Sequence, residues 1–312
     1  MVIEYRSLSD MNEAILRNLH KLPNDIDLIV GIPRSGMLPA NLIALYLNKP
    51  YVDIDSYIEG RIYTSGNRVL SVSSEEVRKV LIMDDSIQFG RAREKALQKL
   101  RAIKVKNRPE YVIGVVYASM EGREKVDFYC EIVEGIRVFQ WNLFHHRIII
   151  PHSCFDIDGV LCPNPEIDDD GPLYTSYIST APLLYKPSVE IDTIVTTRLE
   201  KYRNITEKWL KSNNIRYKRL VMLDLPTKEE RTRWGKHGLF KGEVYRNSDC
   251  WLFVESSLHQ AEDIVRVSHK PVFCTESFFM INDEQALMKE KIHHNWKALK
   301  VLIKTIWGWK RL

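Results

Sequence analysis

The stretch Val80-Leu81-Ile82-Met83-Asp84-Asp85-Ser86-Ile87-Gln88-Phe89-Gly90 decides how the first half of the chain reads. Four apolar residues without a polar break predict a strand buried on both faces, as in a parallel sheet. Two adjacent carboxylates follow at its C-terminal end, then a short loop closing on glycine. Ligands of open parallel sheets bind at those carboxyl ends. Paired acids there can accept hydrogen bonds from two ribose hydroxyls, and the N–H groups of the next loop can hold a phosphate. Upstream, residues 27–32 (DLIVGI) predict another buried strand, which runs into Gly31-Ile32-Pro33-Arg34-Ser35-Gly36 and then a helix over 38–47. A glycine-bounded loop at a helix N-terminus offers N–H groups to an anion, although many such loops are plain turns. A helix from Asp10, a short strand at 51–54, a helix over 91–100 and a strand over 111–117 complete an alternation of strands and helices. Residues 56–75 have no period and are rich in Ser, Gly and Arg, which predicts a loop.

The pattern restarts near residue 147. Cys154-Phe155-Asp156-Ile157-Asp158-Gly159-Val160-Leu161 places two aspartates two apart, so on a strand both point to one side. One carboxylate can attack phosphorus while the other gives and then takes a proton. Further strands are expected at 191–197, 219–224, 251–256 and 271–274, with helices at 205–213 and 259–267. Both halves therefore read as α/β layers with mostly parallel sheets. The expected division is 1–146, 147–282 and a C-terminal helix over 283–312.

The 80–90 segment resembles the PRPP-binding motif of type I phosphoribosyltransferases, and that resemblance extends over about residues 1–145. It implies that Asp84 and Asp85 hold the ribose hydroxyls, that Ser86, Ile87, Gln88, Phe89 and Gly90 wrap the 5-phosphate, and that Arg34, Ser35 and Gly36 face the pyrophosphate. It further implies that loop 56–75 is a lid whose Arg61 or Arg68 neutralises the leaving pyrophosphate, with Mg²⁺ bridging substrate oxygens. Gln88, Phe89 and Arg91 depart from the family pattern, and no segment identifies a base pocket.

Residues 154–161 resemble the nucleophile motif of the haloacid-dehalogenase superfamily. In that light Asp156 is the nucleophile and Asp158 the acid/base. Thr196, ending Ile194-Val195-Thr196-Thr197-Arg198, contacts the phosphoryl group. Lys241, with Lys236 in reserve, offsets charge. Glu255 joins Asp156 and Asp158 around Mg²⁺, where the family more often shows aspartates. About 35 residues separate Asp158 from the Thr196 strand, too few for a large cap domain. The whole arrangement is similar to bacterial polysaccharide proteins that install ribofuranose on a lipid-linked glycan. Two other readings stay open: a nucleobase transferase with a coupled nucleotide phosphatase, and a phosphatase regulated by a non-catalytic PRPP sensor.

Composition sets limits. The chain has 312 residues, 45% hydrophobic and 28% charged, with a net charge of +4. That balance suits a globular protein and gives no reason to expect a nucleic-acid partner. Five cysteines without a C-x-x-C pair suit a reducing cytoplasm. No signal peptide or membrane span is expected. The segment Lys289–Leu312 carries seven Lys/Arg against one Glu, and Ile292, Trp296, Leu299, Ile303 and Ile306 share a helical face. Such a helix suits peripheral contact with an anionic membrane, or packing on the protein's own core.

Overall fold

The structure, a computed structural model, describes residues 3–62, 76–102, 108–167 and 169–283. The chain divides into two compact units, Val2–Trp141 and the remainder from Asn142. Arg68, Asp168 and nearly all of the expected 283–312 helix lie outside the described residues.

In the first unit the elements are β1 (Ile3–Arg6), α1 (Leu8–Asn18), β2 (Leu28–Gly31), α2 (Met37–Leu47), β3 (Tyr51–Asp53), α3 (Ile54–Ile58), β4 (Lys79–Ile87), α4 (Arg91–Ala102), β5 (Glu110–Ala118), β6 (Phe128–Ile132) and β7 (Ile136–Phe139). Five strands form a parallel sheet in the order β3-β2-β4-β5-β6. Alternation along β4 sends Leu81 and Met83 to one core cluster with Met11, Ile15 and Ile43 of α1 and α2. Val80 and Ile82 enter a second cluster with Ala96 and Leu100 of α4. The sheet is thus covered on both faces, which accounts for its unbroken apolar strands. Strand β1 pairs in parallel with β7 in a separate two-stranded sheet.

The second unit contains β8 (Ser153–Phe155), α5 (Gly171–Thr180), β9 (Ile191–Leu199), α6 (Arg203–Ser212), β10 (Tyr217–Leu223), α7 (Lys228–Trp234), α8 (His237–Arg246), β11 (Leu252–Glu255), α9 (Leu258–Ser268), β12 (Val272–Cys274) and β13 (Phe279–Ile281). Its sheet runs β10-β9-β8-β11-β12-β13 and is parallel except for the β12–β13 pair. Tyr245 of α8 and Ala261, Ile264 and Val265 of α9 pack on Cys154, Val195, Phe253 and Val272. Between β8 and β9 the described residues hold a single α-helix, α5.

The run Ile148–Ile150 does not extend β8: Ile150–His152 forms a short 3-10 helix, because Pro151 has no N–H to give a ladder. Phe144 stacks on Tyr185 at 4.7 Å and meets Phe155 and Phe273 edge-on, which anchors it in the second unit. Among the described residues no helix is long and apolar enough to cross a membrane.

Candidate functional site

Each unit brings a pair of acids to the carboxyl end of a central strand. In the first, Asp84 and Asp85 lie in the C-terminal part of β4, which continues through Ser86 and Ile87, and alternation turns them apart. Asp84 lines a cavity of about 260 Å³ with Ile32, Ser86, Gln88, Phe89 and Gly90. Asp85 does not line it; its Oδ2 accepts from Trp141 Nε1 at 3.2 Å, while the Asp85 N–H donates to Asp84 Oδ1 at 2.9 Å. Burial, then the adjacent Asp85 charge, pushes the Asp84 carboxyl up to about 8. Arg137 donates from Nη1 to the Ile87 carbonyl at 2.9 Å. Burial lowers its pKa, and the Asp85 charge opposes that shift.

The Gly31–Gly36 loop lies against this strand end. A Cβ on Gly36 would sit 2.6 Å from the carbonyl oxygens of Ile32 and Met83 and 2.9 Å from Asp84 Cα, so only glycine permits the approach. Gly90 closes the opposite loop with φ of +80°, leading into α4. Arg34 is exposed beside Ser35. Arg61 forms an ion pair with Glu59 and donates to Ser56 Oγ at 3.2 Å; it does not line the Asp84 cavity.

In the second unit a cleft of about 940 Å³ is lined by Asp156, Asp158, Thr196, Arg198, Lys241 and Gln260, among others. Strand β8 delivers Asp156, β9 delivers Thr196 and Arg198, and α8 delivers Lys241. The Lys241 side chain is 1% exposed. Its Nζ donates to Asp156 Oδ2 at 2.7 Å, Glu255 Oε2 at 2.7 Å and Gln260 Oε1 at 2.8 Å. An ammonium carries three donors, and all three are used. Lys236 instead caps α8 and is exposed.

Burial raises the Asp156 carboxyl to about 7; Lys241 opposes the shift, while Glu255 and Asp158 add to it. For Lys241, burial works downward, but Asp156 and Glu255 outweigh it and hold the ammonium charged. Gly159 has φ of +77°, and a Cβ there would lie 2.4 Å from Ser256 Oγ. The chain thereby turns closely past β11, where Ser256 Oγ donates to the Asp158 carbonyl at 3.0 Å.

Sequence reasoning gave Arg198 no role. It donates from Nε to Asp158 Oδ2 at 2.9 Å and from Nη2 to Asp158 Oδ1 at 2.6 Å. Its place two residues after Thr196 on a buried strand was the available signal. His237, Arg231 and Gln260 also line the cleft without having been expected there.

The expected metal set does not fit as an ion cage. Both oxygens of Asp158 accept from Arg198. Glu255 accepts from Lys241 through Oε2 and from the Ser256 and Ser257 N–H groups through Oε1. The Asp158 carbonyl is covered by Ser256. Among the described residues no cluster of three His, Cys, Asp or Glu is placed to hold a metal ion.

Comparison with known proteins bears on the first unit. Residues 5–148 match the family model described as "Phosphoribosyl transferase domain". This part of the chain is therefore a phosphoribosyl transferase domain. Among solved structures, the chain is similar to a purine phosphoribosyltransferase from Pyrococcus horikoshii Ot3, at 22% identity over 45% of this chain and 95% of that one, with a TM-score of 0.34. A xanthine-guanine-hypoxanthine phosphoribosyltransferase from Helicobacter pylori aligns at 11% identity over 46% and 93%, with a TM-score of 0.34. An orotate phosphoribosyltransferase from Aeropyrum pernix aligns at 19% identity over 40% and 69%, with a TM-score of 0.29. No curated protein matches the chain.

Proposed function

We propose that the chain is a two-step enzyme: the first unit transfers a 5-phosphoribosyl group from PRPP to an acceptor, and the second removes the 5-phosphate. The transfer step draws support from the phosphoribosyl transferase domain at residues 5–148. The observation that carries the second step is the contact of Lys241 with Asp156 at 2.7 Å, inside a cleft that also holds Thr196 and Asp158.

In the transfer step an acceptor hydroxyl oxygen bonds to C1 of the ribose as the bond to pyrophosphate breaks, and the hydroxyl proton passes to solvent. Asp84 and Asp85 would hold the ribose hydroxyls, and residues 86–90 the 5-phosphate. Arg34–Gly36 would face the pyrophosphate, with Arg61 or Arg68 closing over it. Mg²⁺ carried in with PRPP would supply charge neutralisation among the substrate's own oxygens. In the second step Asp156 attacks phosphorus and displaces the ribose oxygen, giving an aspartyl phosphate that water then cleaves. Lys241 holds Asp156 and offsets its charge, Thr196 contacts the phosphoryl oxygens, and Asp158 carries the proton between leaving group and water. The side chains around Asp156 do not fit a resident ion, so no step is assigned to one.

The acceptor we propose is a glycan, lipid-linked at the cytoplasmic membrane face, with the basic 289–312 segment making peripheral contact. That choice rests on the whole-chain resemblance, and on the fact that transfer followed by dephosphorylation leaves plain ribofuranose. The test is incubation of the full chain with PRPP and candidate acceptors, reading product masses, pyrophosphate and phosphate. A mass gain of one pentose without phosphate supports the reading. Pyrophosphate release stimulated by a free base would replace the glycan by a nucleobase. PRPP binding without turnover would make the first unit a sensor.

A further inference from the structure

The guanidinium of Arg198 is engaged on one side only. Its side chain is 1% exposed. Nε and Nη2 grip both oxygens of Asp158, and Nη2 also reaches Cys162 Sγ at 3.4 Å. Nη1 is buried and has no hydrogen-bond partner, although the residue lines the cleft beside Asp156 and Thr196. A guanidinium does not shed its proton, and a buried donor left without an acceptor is costly. The planar fork is shaped to take two oxygens of a carboxylate or of a phosphate. Both oxygens of Asp158 accept from Arg198 in this arrangement.

We propose that Arg198 is a catalytic residue that exchanges partners: it clamps Asp158 and turns its fork to the phosphoryl oxygens when a phosphomonoester enters. This rests on the cleft being the phosphate-releasing site. The exchange frees Asp158 for its proton-carrying part. Released from the clamp, Asp158 takes a proton from solvent and passes it to the ribose oxygen as Asp156 bonds to phosphorus and the phosphorus–ribose bond breaks. Water then attacks the aspartyl phosphate and gives its proton to Asp158. Orthophosphate departs, the proton returns to solvent, and Arg198 closes on Asp158 again.

The test is a double-mutant cycle on the full chain in excess Mg²⁺. It uses orthophosphate as the binding probe in calorimetry and p-nitrophenyl phosphate as the turnover probe, with the calorimetric melting transition of the second unit as a check that each variant is folded. Arg198→Lys keeps the charge but loses the fork, so orthophosphate should bind at least tenfold more weakly. Asp158→Asn removes the competing carboxylate, so orthophosphate should bind several-fold more tightly while turnover falls. A gain in affinity cannot come from misfolding. Removing a negative charge could tighten binding without Arg198, so the decisive quantity is the coupling. The gain from Asp158→Asn should vanish in the Arg198→Lys background. A gain that persists there, unchanged affinity in Asp158→Asn, or undiminished affinity in Arg198→Lys would overturn the exchange. If Arg198→Lys does not fold, no gain in Asp158→Asn alone overturns it, and a gain lost in the folded double change Asp158→Asn/Arg198→Gln supports it. A coupled gain with no hydrolysis by the native chain leaves the exchange standing and removes the phosphatase reading. A native chain that hydrolyses p-nitrophenyl phosphate but shows no coupling does the reverse.

Discussion

The two strand-end acid pairs are built on opposite electrostatic plans. Asp84 and Asp85 are adjacent, and among the described residues neither forms an ion pair. Asp84 is left with burial and a like charge, which push its carboxyl to about 8. Asp156 and Asp158 lie one residue further apart, and each has its own buried cation, Lys241 and Arg198. The first site leaves its electrostatic demand for a ligand to satisfy. The second satisfies it in advance, each acid meeting a buried cation. A sugar's hydroxyls suit the first plan, and a nucleophile that must meet phosphorus in line suits the second.

The sharpest way to break this comparison is Asp156→Asn. Loss of the nucleophile should reduce phosphate release by on the order of 10⁴-fold or more, while transfer from PRPP continues and phosphorylated product accumulates in the mass spectrum. Release at the native rate would reject the assignment. Next in size is Lys241→Met, which strands Asp156 and Glu255 as buried charges. Breaking such a pair costs about 3–5 kcal/mol, so calorimetric melting of the second unit should shift sharply downward with the first unit's transition unmoved. The matching change in the first unit, Asp84→Asn, should leave or raise its melting temperature, since it removes an uncompensated buried acid. A drop there would erase the contrast.

Changing both Asp84 and Asp85 to Asn should weaken PRPP binding. A hydrogen bond to a charged group is worth roughly 1.5–3 kcal/mol, or about 10- to 150-fold in affinity for each bond lost. Titration calorimetry measures this, and phosphate release from a supplied phosphomonoester should survive. The smallest effect is in pH. An attacking carboxyl must be ionised, and burial raises that of Asp156 to about 7. Its ionised fraction therefore falls as pH drops below that point, and kcat/KM for phosphate release should fall about tenfold per pH unit on the acid side. A flat acid limb down to pH 5 would show that the buried carboxylate is not the attacking group.

Much of the scaffold could be read from the chain. The runs at 80–83 and 27–32 are apolar on both faces because the sheet is covered on both, and a local run records that directly. Strands β1 and β7 were not legible: four residues each, half-buried, they pair across some 130 positions, and nothing local marks such a partner. Helix α8 was missed for a related reason, since its buried face is defined by α9 and the sheet and not by a clear period of its own; α7 buries only Arg231. Arg137 and Trp141, which serve the Asp85 side of the first site, lie on and just after a strand that the sequence did not announce.

What the sequence alone determined was where acids meet strand ends: Asp84-Asp85 and Asp156-x-Asp158 follow apolar runs, and a glycine after each lets the chain turn away. Those are short-range facts of side-chain polarity and backbone freedom. Only the tertiary structure decided which cation meets which acid. It put Lys241, 85 residues on, against Asp156, while Lys236 remained in solvent. It also closed Arg198, 40 residues on, over Asp158. The reason is that an isolated lysine or arginine in a sequence is a surface residue by default; its burial is stable only where folding brings carboxylates to meet its charge.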